Sequence, residues 1–181
     1  MPEFQEFGKI YRLRREWIIT EKIDGTNAQV YISDDFKEVL AGSRNRWITP
    51  EDDNYGFAKW VKAHREELLT GLGPGTHYGE WWGQGIQRGY GLKEKRFSLF
   101  NVSRWTDDVR PACCGVVPVL ARGVDVVSLV GQSIELLRTK GSVAAPGFMR
   151  PEGVVSFHVP SQYLFKTTLE KDEEPKGRSN G

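Results

Sequence analysis

The sequence predicts an antiparallel-rich α+β domain, on three observations. Short runs of alternating apolar and polar residues recur between glycine-rich turns. Only two stretches carry helical spacing. Hydrophobic residues make up 39% and charged residues 27% of 181 residues, the balance of a globular domain with a core of its own.

The elements follow in order. Trp17 to Thr20 is an apolar run, and Ala28 to Ile32 alternates as a half-buried strand should. Ser33-Asp34-Asp35 makes a turn, and a return strand runs from Glu38 to Ala41. One helix is expected from about Asn54 to Leu69, because Phe57, Trp60, Val61, His64 and Leu68 fall on one face. Asp52 and Asp53 can cap its start and Gly71 can end it. His64 reads as a packed helix residue rather than a ligand or base. Further strands are expected over His77–Trp82, Phe97–Val102, Val116–Leu120, Val154–Val159 and Tyr163–Thr167, with a second helix over about Val126–Arg138. One domain is expected over residues 1–169. The tail over 170–181 is polar, has nothing to bury, and is expected to be disordered.

Composition excludes several classes. No apolar run approaches the roughly 20 residues that span a bilayer, and the N-terminus lacks the apolar block of a signal peptide, so a cytoplasmic protein is expected. Net charge is +1, so a nucleic-acid partner would need a local patch. Arg12, Arg14 and Arg15 form one basic cluster and Lys93, Lys95 and Arg96 another; each fits a patch or a plain solvated face. The adjacent Cys113 and Cys114 are poorly placed to pair, and the three histidines are scattered, which argues against a zinc site.

Several pieces carry chemistry. In Glu21-Lys22-Ile23-Asp24-Gly25-Thr26-Asn27 a lysine ends an apolar strand and a tight Asp-Gly turn follows. A strand end fixes a side chain, and a glycine lets backbone approach a phosphate. A lysine acts as a nucleophile only when neutral. Alone, the tetrapeptide KxDG reads as a hairpin turn with a surface lysine. Arg44 and Arg46 follow the second strand; an arginine there can grip a phosphate in two parallel bonds, and Arg46 reads better as a solvated loop residue. In Tyr78-Gly79-Glu80-Trp81-Trp82-Gly83, alternation puts Glu80 and Trp82 on one face, where a carboxylate between aromatic walls suits a sugar hydroxyl; a surface glutamate on an edge strand fits too. Phe100, in FSLFN, is either core or a ring that stacks on a purine. Glu152 opens a buried strand, where an acid needs a metal, cation or donor, unless it points to water. Lys166 sits within a strand and either offsets phosphate charge or faces solvent.

Read along the chain, the pieces are KxDG, SR, GExWG, FxLFN, EGVV and FK. That series resembles the covalent nucleotidyltransferase superfamily of ATP-dependent RNA and DNA ligases and capping enzymes. It is most similar to the phage-type RNA ligase 2-like family, in which EKxDGTN is typical, and the resemblance spans residues 16 to 168. It implies the nucleotidyltransferase (adenylation, ATP-grasp-like) fold, antiparallel sheets with a nucleotide cleft and flanking helices. It implies an ATP-dependent RNA ligase acting on nicked or broken RNA. Lys22 would form the lysyl-AMP adduct. Glu21 would offer a backbone contact to adenine, and Asp24, Gly25 and Asn27 the pocket floor. Arg44 would touch the nucleotide and the polynucleotide 5′ end, Glu80 the ribose, Phe100 the adenine face and Lys166 a phosphate. Magnesium would be held by Glu152, with Asp24 and Glu80 as further candidate ligands. The sequence also departs from the pattern. Thr168 stands where a second lysine is usual, with Lys171 three positions on, and Asn101 where an aspartate is usual. The stretch after Lys166 is too short for the further domain that ligases carry, so the chain is expected to be a minimal ligase, a subunit needing a protein partner that supplies one, or an adenylyl carrier with a different acceptor. A minimal DNA ligase and a non-catalytic nucleotide- or nucleic-acid-binding module remain the alternatives.

Overall fold

The computed structural model describes residues 1–172, so the part of the expected polar tail beyond Asp172 lies outside the described residues. The strands are β1 (Trp17–Lys22), β2 (Thr26–Ile32), β3 (Val39–Gly42), β4 (Trp47–Ile48), β5 (Gly75–Gly83), β6 (Lys95–Leu99), β7 (Cys114–Val116), β8 (Val119–Gly123), β9 (Gly153–His158) and β10 (Tyr163–Thr168). The helices are α1 (Phe57–Ala63), α2 (Arg65–Leu72) and α3 (Val126–Lys140).

Two sheets form the frame. One has the order β10-β9-β1-β8, the other β4-β3-β2-β5-β6-β7. All named pairs are antiparallel except β6 with β7. The expected antiparallel-rich α+β class therefore holds, with a mixed second sheet.

Alternation sets what each sheet buries. Ala28, Val30 and Ile32 of β2 point into a core with Phe57, Ala58 and Val61 of α1 and Trp81 of β5. Trp17 and Ile19 of β1 pack with Val154 of β9 and Leu137 of α3. Each such side chain contributes on the order of 1.5–3 kcal/mol by leaving water. A third cluster of Ile23, Trp82, Tyr90, Val117 and Ala145 lies where the chain passes from one sheet to the other. Asp125 caps α3 by accepting from the Ser128 amide at 3.4 Å, and Gly141 ends it at φ 80°. No described helix is long and apolar enough to cross a membrane.

The helix expected over 54–69 is two. His64 interrupts it at φ −106°, ψ 16°, and its Nδ1 lies 2.9 Å from the Trp60 carbonyl, so the ring is packed and satisfied. Asp53 does cap the start, accepting from the amides of Ala58 at 2.8 Å and Lys59 at 3.1 Å. Asp52 instead pairs with Arg46, which confirms Arg46 as a loop residue with a local partner. Gly71 lies inside α2 against the Pro111 ring, and Gly73 at φ 74° ends the helix. The strand expected over Val116–Leu120 splits, its halves joining different sheets. Pro118 stands at the split, and its carbonyl accepts from the Glu21 amide at 2.9 Å. The strand expected over Phe97–Val102 stops at Leu99. Cys113 and Cys114 are both free thiols.

Candidate active site

Residues 23–25 carry the chain from the end of β1 in one sheet to the start of β2 in the other. Lys22 is thus fixed at a strand end, where the chain leaves one sheet for the other. Its Nζ donates to Glu152 Oε2 at 2.6 Å. The Lys22 side chain is 20% exposed and that of Glu152 4%, so the pair is reachable yet well shielded. Backbone pairing builds the contact. Lys22 lies opposite Gly153, and Gly153 opposite Thr168. A Cβ on Gly153, at φ +155°, would stand 2.1 Å from the Thr167 carbonyl oxygen, so only glycine lets β10 close on β9 here.

Glu80 approaches from β5 in the other sheet. It accepts from the Gly25 amide at 3.0 Å and from Asn27 Nδ2 at 3.1 Å. Asn27 and Glu80 are direct cross-strand partners. Glu80 and Trp82 share a face while Trp81 points into the opposite core, as alternation requires. Gly25 is needed for close approach: a Cβ there would stand 2.4 Å from the Trp81 carbonyl oxygen. Burial pushes the Glu80 carboxyl up to about 7, against the opposing pull of the Gly25 amide and the Lys22 ammonium.

Asp24 is held by two residues that sequence reasoning missed. Arg88 Nε donates to Asp24 Oδ2 at 2.9 Å, and its Nη1 donates to the Arg150 carbonyl at 2.8 Å and the Pro151 carbonyl at 3.3 Å. Arg88 therefore ties the turn after Lys22 to the segment that delivers Glu152. The Tyr90 hydroxyl accepts from the Asp24 amide at 2.8 Å. The signal available in sequence was the glycine-punctuated run GQGIQRGYG directly after the GEWWG strand.

Glu21 points away from Lys22, as strand alternation dictates. Its carboxylate accepts from Ser142 Oγ at 2.6 Å and from the amides of Val143 and Ala144 at 2.8 Å each. It is 1% exposed, and burial raises its pKa against those bonds. The side chain thus braces the loop after α3, leaving only its backbone for the cleft.

The remaining candidates are exposed. Arg44 is exposed in the loop between β3 and β4. Phe100 is 39% exposed while Phe97 and Leu99 are buried, so it is not a core residue. Asn101 Oδ1 accepts from the amides of Ser103 at 3.2 Å and Arg104 at 3.1 Å, so it forms a local turn. Lys166 is exposed on β10, and its register opposite Val155, itself opposite Thr20, puts it on the sheet face of Lys22. β10 ends at Thr168, whose amide donates to Asp172 Oδ1 at 2.7 Å. Of the basic clusters, Arg12, Arg14 and Arg15 are exposed. Lys95 donates to the Tyr55 carbonyl at 2.7 Å, and Arg96 pairs with Glu94.

Among the described residues, no group of three or more His, Cys, Asp or Glu side chains is arranged to hold a metal ion. Asp24 is engaged with Arg88, and Glu80 with Gly25 and Asn27. Glu152 is the carboxylate that faces Lys22. Oxygen donors of this kind suit a hard divalent ion that takes its other ligands from phosphate and water.

The RNA ligase family model matches residues 15–167. The chain belongs to the RNA ligase family. The match runs from just before β1 to within β10, so this RNA ligase family domain contains every candidate residue above. Solved structures agree in fold. A Naegleria gruberi RNA ligase variant with ATP and manganese aligns at TM-score 0.59 and 20% identity, over 90% of this chain and 52% of that one. A variant of the same enzyme with AMP and manganese gives 0.59 and 21%, over 90% and 53%. A ligand-free variant gives 0.59 and 21%, over 96% and 59%. The family member described here thus spans little more than half the length of these structures. No curated protein matches it.

Proposed function

We propose that this chain is the adenylation domain of an ATP-dependent RNA ligase of the phage-type RNA ligase 2-like kind, with Lys22 as the nucleotide carrier. The observation that carries the reading is the Lys22–Glu152 contact of 2.6 Å at the end of β1, with Glu80 bound to the Gly25 amide of the turn that follows. Family membership and the ATP and AMP in the structures of its Naegleria relative support it.

In this account the Lys22 amine attacks the α-phosphorus of ATP. A nitrogen–phosphorus bond forms, the bond to the β-phosphate oxygen breaks, and pyrophosphate leaves. Lys22 must first lose a proton, and Glu152 is the carboxylate within hydrogen-bond reach of it. Glu80 and Asn27 receive the ribose, Phe100 the adenine face, and Lys166 and Arg44 phosphate oxygens. A divalent ion held by Glu152, with phosphate and water completing its shell, would offset charge on the phosphate oxygens. The AMP then passes to the 5′-phosphate of an RNA strand, and a 3′-hydroxyl attacks that phosphorus and expels AMP. Residues 1–169 form the adenylating unit.

The test is conversion of nicked RNA bearing a 5′-phosphate, with ATP and magnesium. Sealed product, or a 5′-adenylated strand, supports the reading. Neither product, from folded protein that binds ATP, favours a binding module. Sealing of nicked DNA alone favours the DNA-ligase alternative.

A further inference from the structure

The face of the six-stranded sheet that carries Glu80 does not end there. Opposed residues of paired strands share a face, and the face repeats every second residue. Asn27 and Glu80 form one row of that face. The next row outward runs Trp47, Gly42, Gln29 and Tyr78 across β4, β3, β2 and β5. The row after it holds Leu40, Tyr31 and Thr76. The reverse side of the same strands is the buried core under α1. This side is open: Trp47 is 52% exposed, Tyr78 59% and Leu40 38%. The Tyr31 and Trp47 rings lie against each other, with centroids 6.1 Å apart and planes tilted by 59°.

We propose that this face is a stacking platform for single-stranded RNA adjoining the reactive end, with Trp47 and Tyr31 at its outer edge and Tyr78 at the nucleotide pocket. The inference rests on the RNA ligase reading for the class of its occupant. Three observations favour RNA over a protein partner. The platform is continuous with the row that carries Glu80. Its centre is flat and polar rather than a groove: Gly42 has no side chain, and Gln29 lies across it with its amide donating to the Ser43 carbonyl at 3.1 Å. Arg44, a phosphate-binding cation by type, is exposed in the loop at its edge. Tyr78 and Trp47 are three strand spacings apart, about 14 Å, which leaves room for bases laid over the centre. Exposed aromatic rings with a neighbouring arginine bind single strands without regard to sequence, because every base has a π-face.

The test measures anisotropy of a 5′-phosphorylated single-stranded oligoribonucleotide with a 3′ fluorophore, against wild type, Trp47→Ala, Tyr31→Ala, Trp47→Phe and Arg44→Ala. Trp47→Ala should weaken binding by about 5- to 150-fold, and Trp47→Phe should recover most of the loss. The salt dependence should be unchanged in Trp47→Ala and shallower by about one in Arg44→Ala. ATP affinity, measured on wild type, Trp47→Ala and Tyr31→Ala, reports on the nucleotide site independently, so failure of that reading and failure of the platform are separable. Wild-type affinity for RNA in both Trp47→Ala and Tyr31→Ala overturns the platform, as does wild-type protein that binds no single-stranded RNA. A dimer that Trp47→Ala dissolves while RNA binding persists would make the face a protein interface and overturn it equally.

Discussion

Lys22 and Glu152 are 130 residues apart in the chain and 2.6 Å apart in space. Neither motif explains the contact alone. It exists because β1 and β9 are neighbours in register, with Lys22 opposite the residue that follows Glu152.

Glu152→Gln keeps the shape of this contact and removes the charge. Lysine adenylation should fall by about 100-fold or more, the range for losing a group that handles a proton. The melting temperature should fall as well, because Glu152 is 4% exposed and the substitution leaves the Lys22 amine without its counter-charge. Single-turnover labelling with α-phosphate-labelled ATP measures the rate, and calorimetry the stability.

Arg88 joins Asp24 to the carbonyls of residues 150 and 151. Arg88→Ala and Asp24→Asn should therefore be coupled. A double-mutant cycle on urea unfolding should give an interaction energy of about 0.5–3 kcal/mol. Arg88→Lys should restore little, since a single ammonium cannot span both partners. Additive effects would mean that the bridge carries no stability.

Glu80 makes stability depend on pH in a stated direction. Burial raises its folded pKa from 4.5 to about 7. Between those values the folded protein holds a proton that the unfolded chain has released. Stability therefore falls as pH rises through this window and levels off above it. Glu21, also raised by burial, acts in the same sense. Glu80→Gln should flatten the slope by up to about 3 kcal/mol across the window. Urea midpoints at the two ends of the window measure it.

Phe100→Ala should weaken ATP binding by about 1–3 kcal/mol if the ring stacks on adenine. Because the ring is 39% exposed, unfolding free energy should change by only about 1 kcal/mol. Titration calorimetry and urea unfolding separate the two. The opposite pattern would place Phe100 in a structural role.

What the sequence disclosed depended on how local the cause was. The alternation of β2 is written in Ala28, Val30 and Ile32, and α3 in its apolar spacing and the Asp125 cap. The separation of Glu80 and Trp82 from Trp81 follows from strand geometry alone. The break at His64 does not, because it depends on a ring that meets the carbonyl one turn back. Nor does the split at Pro118, which is decided by which sheet each half can pair with. Within the site, Lys22, Glu80, Glu152, Asn27 and Gly25 were legible because their motifs have a fixed order. Arg88 was not, because its partners lie 62 to 64 residues away on both sides. The sequence also offered three carboxylates for one metal, whereas Arg88 draws Asp24 aside.

The most direct measurement is intact mass and peptide mapping after incubation with ATP and magnesium, under conditions that preserve a phosphoramidate. If Lys22 carries AMP, the result is one AMP per chain, acid-labile, on the peptide containing Lys22, and none in Lys22→Ala. An adduct on another residue, or full labelling of Lys22→Ala, would contradict it.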